Sequence, residues 1–166
     1  FWFPLQFAVT KHVQRLLEKY FPTDEFKVIL QERFPGCRDE IKKISKKISS
    51  AKDCQVSEFG INYEVRPFDG NDPGIYTDAA SVRKKMQTYF EESSKMLNLY
   101  AYTGAFSLQG LFYDNEVTSV DLSSKYMSWL EKNITLNDFK SEHHSMVMGA
   151  EQALKKLIKE KFLFDL

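Results

Sequence analysis

Gly104 and Asp121 are the two residues whose type and spacing suggest chemistry. Gly104 belongs to 96-MLNLYAYTGAFSLQGL-111, where a short apolar run ends in Tyr102-Thr103-Gly104 and a helical pattern follows at once. A glycine there lets the backbone approach a ligand with no Cβ in the way. The helix N-terminus behind it offers free N–H groups and the positive end of a dipole, suited to a carboxylate or a phosphate. Asp121 ends the next strand-like run, EVTSVD, 17 positions on (104 to 121). In α/β folds an acidic residue about 20 positions beyond the glycine loop reaches ribose hydroxyls. Its carboxylate accepts from both hydroxyls and repels a 2′-phosphate. The two features together predict an adenosine ligand with a free ribose.

The loop chemistry then narrows the choice of ligand. NAD needs close approach of a pyrophosphate and hence GxGxxG; here Ala101, Thr103 and Ala105 stand where glycines are expected. No GxxxxGK[ST] occurs, so a P-loop is excluded. S-adenosylmethionine carries no phosphate, and a one-glycine loop can hold its carboxylate and ammonium. The spacing favours a methyltransferase. An NAD-type oxidoreductase and a non-catalytic α/β domain remain as alternatives. Thr103 capping the next helix, and Asp121 capping the one at Ser123, are the plainer roles for those two residues.

Other candidates carry less. Lys42, Lys43, Lys46 and Lys47 form a solvated helix face or, in the sharper reading, a phosphate-contacting patch. His143-His144 lack further ligands at metal spacing and read as a surface pair. Tyr100, Phe106 and Trp129 read as packing. Cys37 and Cys54 form no CxxC pair and read as reduced thiols of an intracellular, cytoplasmic protein. Lys+Arg and Asp+Glu are both 23, so a globally basic nucleic-acid binder is not indicated. With 43% hydrophobic residues and no run approaching a membrane span, the 166 residues predict a folded core outside the bilayer.

The elements that must position these residues follow from periodicity. Helical spacing covers 7–20, 38–52, about 79–92, 105–112, 123–136 and 151–161. Strands are expected at 26–30, 54–59, 61–67, 75–78, 96–101, 116–121 and 144–148, with 162–166 opening another. A hairpin turns at Gly60. From residue 96 onward the βαβαβαβ order implies a parallel sheet with right-handed crossovers. The ends, Phe1 and 162-FLFDL-166, suggest a chain cut short.

The runs LNLYAYTGAFS (97–107) and VTSVDLSSKYMSWLEKNITLN (117–137) strongly resemble class I S-adenosylmethionine-dependent methyltransferases. More narrowly, they resemble the branch that methylates large-subunit ribosomal RNA on cytosine C5 or guanine N7. In that branch an N-F-Y-T-G-F-S-type loop follows the first strand and V-x-S-V-D-x-S marks the second. FGINYEVRPFDGNDPGIYTDAASVR (59–83) is similar to its β-segment, which ends in G-x-(aromatic)-x-D-x-R-x-x-R, and QERF (31–34) matches a short element before it. The resemblance spans about residues 26–166.

The resemblance implies roles residue by residue. Tyr102, Thr103 and Gly104 would line the methionine end, Asp121 would bind the ribose, and Leu122 would lie beside the adenine. Thr77, Asp78 and Arg83 would close over the cofactor. There are two departures. The first arginine of the upstream motif is Ala80, and the third strand ends in Gly149-Ala150 rather than Gly-Asp, so the adenine contact at Ala150 is lost or passes to Glu151. The family's D-P-P element and its Ser-Cys-Ser nucleophile lie beyond Leu166, and C5 chemistry needs such a cysteine. Neither Cys37 nor Cys54 is expected to fill that role, so the catalytic residues are unknown. The implied protein is an α/β, Rossmann-like methyltransferase core with a parallel sheet, its C-terminal part missing. A small α+β region (1–78) precedes the cofactor-binding part (79–166). The implied reaction is methyl transfer from S-adenosylmethionine to an RNA base. A non-catalytic RNA-binding or assembly protein with the same fold is the rival from another class.

Overall fold

In a computed structural model the described residues are 54–66, 72–91 and 94–166, together with positions 12, 15, 16 and 19. The chain divides into two compact units, residues 1–47 and 48–166. In the first, His12, Arg15, Leu16 and Lys19 are helical and exposed, within the helix expected over 7–20. The expected strand at 26–30, the helix at 38–52, the lysine patch, Cys37 and QERF lie outside the described residues.

Three strands form a parallel sheet in the second unit: β3 (Lys95–Leu99), β4 (Glu116–Asp121) and β5 (His143–Val147), in the order β3-β4-β5. Helix α2 (Ala105–Phe112) joins the first two and α3 (Ser124–Thr135) the next. Val117, Thr118, Ser119 and Val120 are all buried, as befits a parallel strand covered on both faces. After β5, α4 (Ala150–Lys159) carries the chain back to the opposite side of β3. There Leu97 N–H donates to the Leu166 carbonyl (2.9 Å) and Leu166 N–H to the Lys95 carbonyl (3.3 Å). That reciprocal pair is a parallel-ladder link, so 162–166 approach β3 as the expected next strand would. The strand order therefore reverses at β3, and in open α/β sheets ligands bind outside the carboxyl ends of the strands at such a reversal.

The hairpin β1 (Cys54–Glu58) and β2 (Ile61–Val65) is antiparallel. Phe59 and Gly60 both have positive φ (52° and 85°), the geometry of a two-residue turn whose twist suits the strands. Ile61, Tyr63 and Val65 point inward and pack with Ile75 and Leu108. The outer edge of β2 is closed by side chains of α3 and of Asn137 just beyond it. Asn137 exchanges two bonds with the Asn62 backbone (both 2.9 Å), Asn133 accepts from Glu64 N–H (2.8 Å), and Trp129 Nε1 donates to the Glu64 carbonyl (3.1 Å). The hairpin thus shares a core with the sheet, and the expected boundary at 78 falls inside the unit 48–166.

That edge closure also corrects the strand expected at 75–78. With the backbone groups of β2 already paired on both sides, no ladder is left for it. Ile75 is buried, and Thr77–Ala79 form a single 3-10 turn leading into α1 (Ala80–Met86). Helix α1 is shorter than the expected 79–92, and its buried residue is Arg83. Val82 and Tyr89 are exposed, while Glu58 on β1 supplies a carboxylate that draws Arg83 inward.

A buried polar chain crosses the sheet. Asn98 Nδ2 donates to Ser107 Oγ (2.8 Å), Ser107 Oγ meets Ser119 Oγ (2.7 Å), and His143 Nε2 meets Ser119 Oγ (2.9 Å). His143 is not the surface residue expected; its side chain is 7% exposed, whereas that of His144 is 42% exposed. Burial holds the His143 imidazole below its ordinary value, against the pull of Glu131 at 3.4 Å and with a further push from His144. The folded form therefore binds fewer protons than the unfolded form just below the ordinary value of 6.5. The stability this contributes is complete above that value and is lost as pH falls through the depressed one. Thermal midpoints measured from pH 7.5 to 5.5 are expected to fall, and His143→Gln to flatten the slope.

Candidate functional site

The loop after β3 has a regular backbone. Tyr100, Tyr102 and Gly104 all have positive φ (58°, 52° and 85°), alternating with ordinary residues. The left-handed positions are thus 100, 102 and 104, not 101, 103 and 105. The loop keeps a three-glycine conformation with glycine only at the third place. A left-handed non-glycine residue costs about 1–2 kcal/mol, so both tyrosines carry strain.

For Tyr102 the compensation is visible. Its ring lies 5.5 Å from that of Tyr76 and 4.5 Å, edge-on, from that of Tyr126. The hydroxyls of those two donate to Asp72, Tyr76 to Oδ1 (2.6 Å) and Tyr126 to Oδ2 (3.0 Å). Each aromatic pair adds about 0.5–1.5 kcal/mol, enough to offset the backbone. Burial, with Asp72 close by, pushes the Tyr102 hydroxyl well above its ordinary value. Tyr100 has no such setting. It was expected in the core and is 79% exposed.

Thr103 is fully buried and faces away from the loop mouth. Its hydroxyl donates to the Gly74 carbonyl, and its own carbonyl accepts from Asn133 Nδ2 (2.8 Å). It ties the loop to the segment 72–76 and does not cap α2. Gly104 is the N-cap of α2.

Asp121 joins the two turns. Its Oδ2 accepts from Tyr102 N–H and its Oδ1 from Ser123 N–H, both at 2.9 Å. Ser123 caps α3 through its own hydroxyl, which accepts from Tyr126 N–H at 3.3 Å. The carboxylate is thus held rigidly, and each oxygen keeps a second lone pair for a further donor. Beside it lies a cleft of about 410 Å³, lined among others by Tyr100, Asp121, Leu122, Gly149, Ala150 and Glu151. That volume lies within the usual range for small-molecule sites. Leu122 is 78% exposed. Gly149 is the N-cap of α4, and a Cβ built there would meet nothing within 4 Å. Among the described residues the lining has two carboxylates, Asp121 and Glu151, and no lysine or arginine.

Of the expected site residues, Asp121, Leu122 and Ala150 line this one cleft, and Tyr102, Thr103 and Gly104 form the loop behind it. Thr77 and Asp78 are exposed on the 3-10 turn, next to Tyr76. Arg83 is buried away from the cleft, with two bonds to Glu58 and one to the Tyr76 carbonyl. Sequence reasoning missed Tyr100 and Gly149. The alternation of residues 100, 102 and 104 would have signalled the first.

Relatives can be set against this geometry. Ribosomal RNA large subunit methyltransferase K/L of Aeromonas hydrophila is 32% identical over 98% of this chain, which corresponds to 23% of that protein. The enzyme of the same name from Magnetococcus marinus is 38% identical over 57% of this chain and 13% of its own length. This chain thus spans an eighth to a quarter of these curated relatives. A SAM-dependent methyltransferase from Agrobacterium tumefaciens shares the fold with a TM-score of 0.64, at 21% identity over 69% of this chain and 38% of its own. The fold is that of class I methyltransferases. No protein-family model matches. In class I terms, β3 is the first strand of the core, the 100–104 loop follows it, and Asp121 ends the second strand. No described helix is long and apolar enough to cross a membrane.

Proposed function

We propose that this chain contributes the cofactor-holding part of an S-adenosylmethionine-dependent methyltransferase acting on an RNA base, in large-subunit ribosomal RNA, in the cytoplasm. The observation that carries the reading is Asp121, fixed by two backbone N–H groups at the rim of a cleft at the sheet's reversal point. Its free lone pairs suit two ribose hydroxyls. The exposed Leu122 offers an apolar wall, and Gly149 leaves room above α4. Two carboxylates and, among the described residues, no cation in the lining oppose a phosphate, which favours a phosphate-free nucleoside over NAD. The relatives named as ribosomal RNA methyltransferases support the substrate class.

When bound, the cofactor supplies a methyl group on a sulfonium, open to in-line attack by the base. The residues of this chain bind and orient it: Asp121 through the ribose, Leu122 and Ala150 beside the purine, and the 102–104 loop at the amino-acid end. Thr77 and Asp78 lie on the turn that would close over it. A base in folded RNA must first leave its stack to reach the methyl group.

Calorimetry tests the reading. Saturable binding of S-adenosylhomocysteine is expected, with none of NADH. Asp121→Ala removes a charged acceptor from both hydroxyls and is expected to weaken binding about 30- to 100-fold, and Asp121→Asn by less. No heat at millimolar S-adenosylmethionine would sink the proposal.

A further inference from the structure

We infer that Tyr100 is the aromatic wall of the cleft, its ring stacking on the purine of the bound nucleoside. This rests on the nucleoside reading of the cleft given above.

The three left-handed residues of the loop have three different explanations. Gly104 is glycine because a Cβ there would strike Leu130 Cγ at 2.5 Å. Tyr102 is tolerated because its ring fills the space between Tyr76 and Tyr126. Tyr100 has neither reason. Its φ of 58° is one that glycine would adopt without strain, yet it carries a large apolar ring that stands 79% in water. Among the described residues no ring contact or hydrogen bond of its side chain offsets either cost. Left-handed strain at a residue whose ring lines the cleft points to a contact made with ligand.

Position supplies the ligand's identity. Tyr100, Asp121 and Leu122 all line the cleft. If Asp121 takes the ribose, the heterocycle attached to that ribose is the flat surface within reach of these exposed apolar groups. Base–aromatic stacking needs a π-face and no particular hydrogen-bonding pattern, which suits a ring with no fixed polar partner. The acidic lining again favours a nucleoside without phosphate.

Titration of the full chain with S-adenosylhomocysteine and with adenosine tests this. Tyr100→Phe is expected to bind both within twofold of wild type. Tyr100→Gly is expected to bind both about tenfold more weakly, at the modest end of stacking. Its thermal midpoint should be no lower than wild type, because glycine relieves the left-handed backbone. This opposition of affinity and stability is what a purely structural role could not produce. Wild-type affinity in Tyr100→Gly overturns the inference, including the case where only its RNA binding falls. An equal loss in Tyr100→Phe overturns it as well, by assigning the contact to the hydroxyl. If wild type binds neither ligand, the nucleoside reading fails and takes this inference with it.

Discussion

Gly104→Ala is expected to destabilise the fold by about 2–4 kcal/mol, a large share of the 5–15 kcal/mol typical of a domain. Two costs add. Alanine at φ 85° loses about 1 kcal/mol or more to the left-handed backbone. The new Cβ would also lie 2.5 Å from Leu130 Cγ, 2.8 Å from Leu130 Cδ1 and 3.1 Å from Leu108 Cδ1. Both leucines are fully buried, so neither can swing aside into solvent. Overpacking of this kind costs about 1–3 kcal/mol. Urea denaturation followed by circular dichroism would read the loss as a lower midpoint. Gly149→Ala is the control. Its φ is −64° and its Cβ meets nothing, so its midpoint should stay put. A Gly104→Ala midpoint equal to wild type would mean that the loop and α3 are not packed as described.

Arg83→Met is expected to cost about 3 kcal/mol. Arg83 is 1% exposed and grips Glu58 at two points, Nε to Oε1 (2.6 Å) and Nη2 to Oε2 (2.9 Å). Nη2 also donates to the Tyr76 carbonyl at 3.0 Å. Breaking a buried pair by removing one partner costs about 3–5 kcal/mol, because the other charge is left unpaired. Glu58 keeps 16% exposure, so water relieves it in part and the lower end applies. The double variant Glu58→Leu/Arg83→Met should recover most of the loss, since no charge remains stranded. The same variants decide whether Arg83 also serves the cofactor. If it acts only by holding β1, α1 and the Tyr76 segment together, the double variant binds S-adenosylhomocysteine as wild type does. A large loss of affinity in the recovered double variant would return Arg83 to the site.

The methyltransferase reading depends on few residues, and its dependence is uneven. Asp121 carries two backbone bonds and the proposed ribose contact at once, so a change there disturbs the loop and the ligand together. Tyr102 belongs to the loop, but its side chain serves the cluster of Tyr76, Tyr126 and Asp72, which ties the 72–76 segment to α3. Thr103 reinforces that tie through the Gly74 carbonyl. The segment upstream of the sheet therefore supports the ligand loop from behind, although Arg83 itself points away from the cleft.

Much of this was legible before the fold was known. Period-two alternation located β2, and helical spacing located α2, α3 and α4, because one-sided burial imposes those periods on the chain. Ser123 announced the start of α3, since a hydroxyl cap is a local interaction. The order of strands and helices from residue 95 onward implied the parallel sheet. The spacing from Gly104 to Asp121 pointed to the 102–104 loop and the acidic strand end as one locality, and Asp121 accepts from Tyr102 N–H there. All of these depend on contacts between near neighbours, or on the face an element turns to the core.

Other features depend on partners distant in the chain. The 75–78 stretch has strand-like residues, but whether a strand forms depends on a free edge, and Trp129 and Asn133 of α3, with Asn137 beyond it, already close the edge of β2. The burial of Arg83 depends on Glu58, 25 positions earlier, which its own segment does not announce. His143 looks like half of an exposed pair until Ser119 and Glu131 enclose it. Tyr100 and Tyr102 are the sharpest case. Their residue type argues against left-handed backbone, so composition placed the glycine-like positions one residue out of step. Only the assembled loop shows which tyrosine is held by neighbouring rings and which is left facing the cleft.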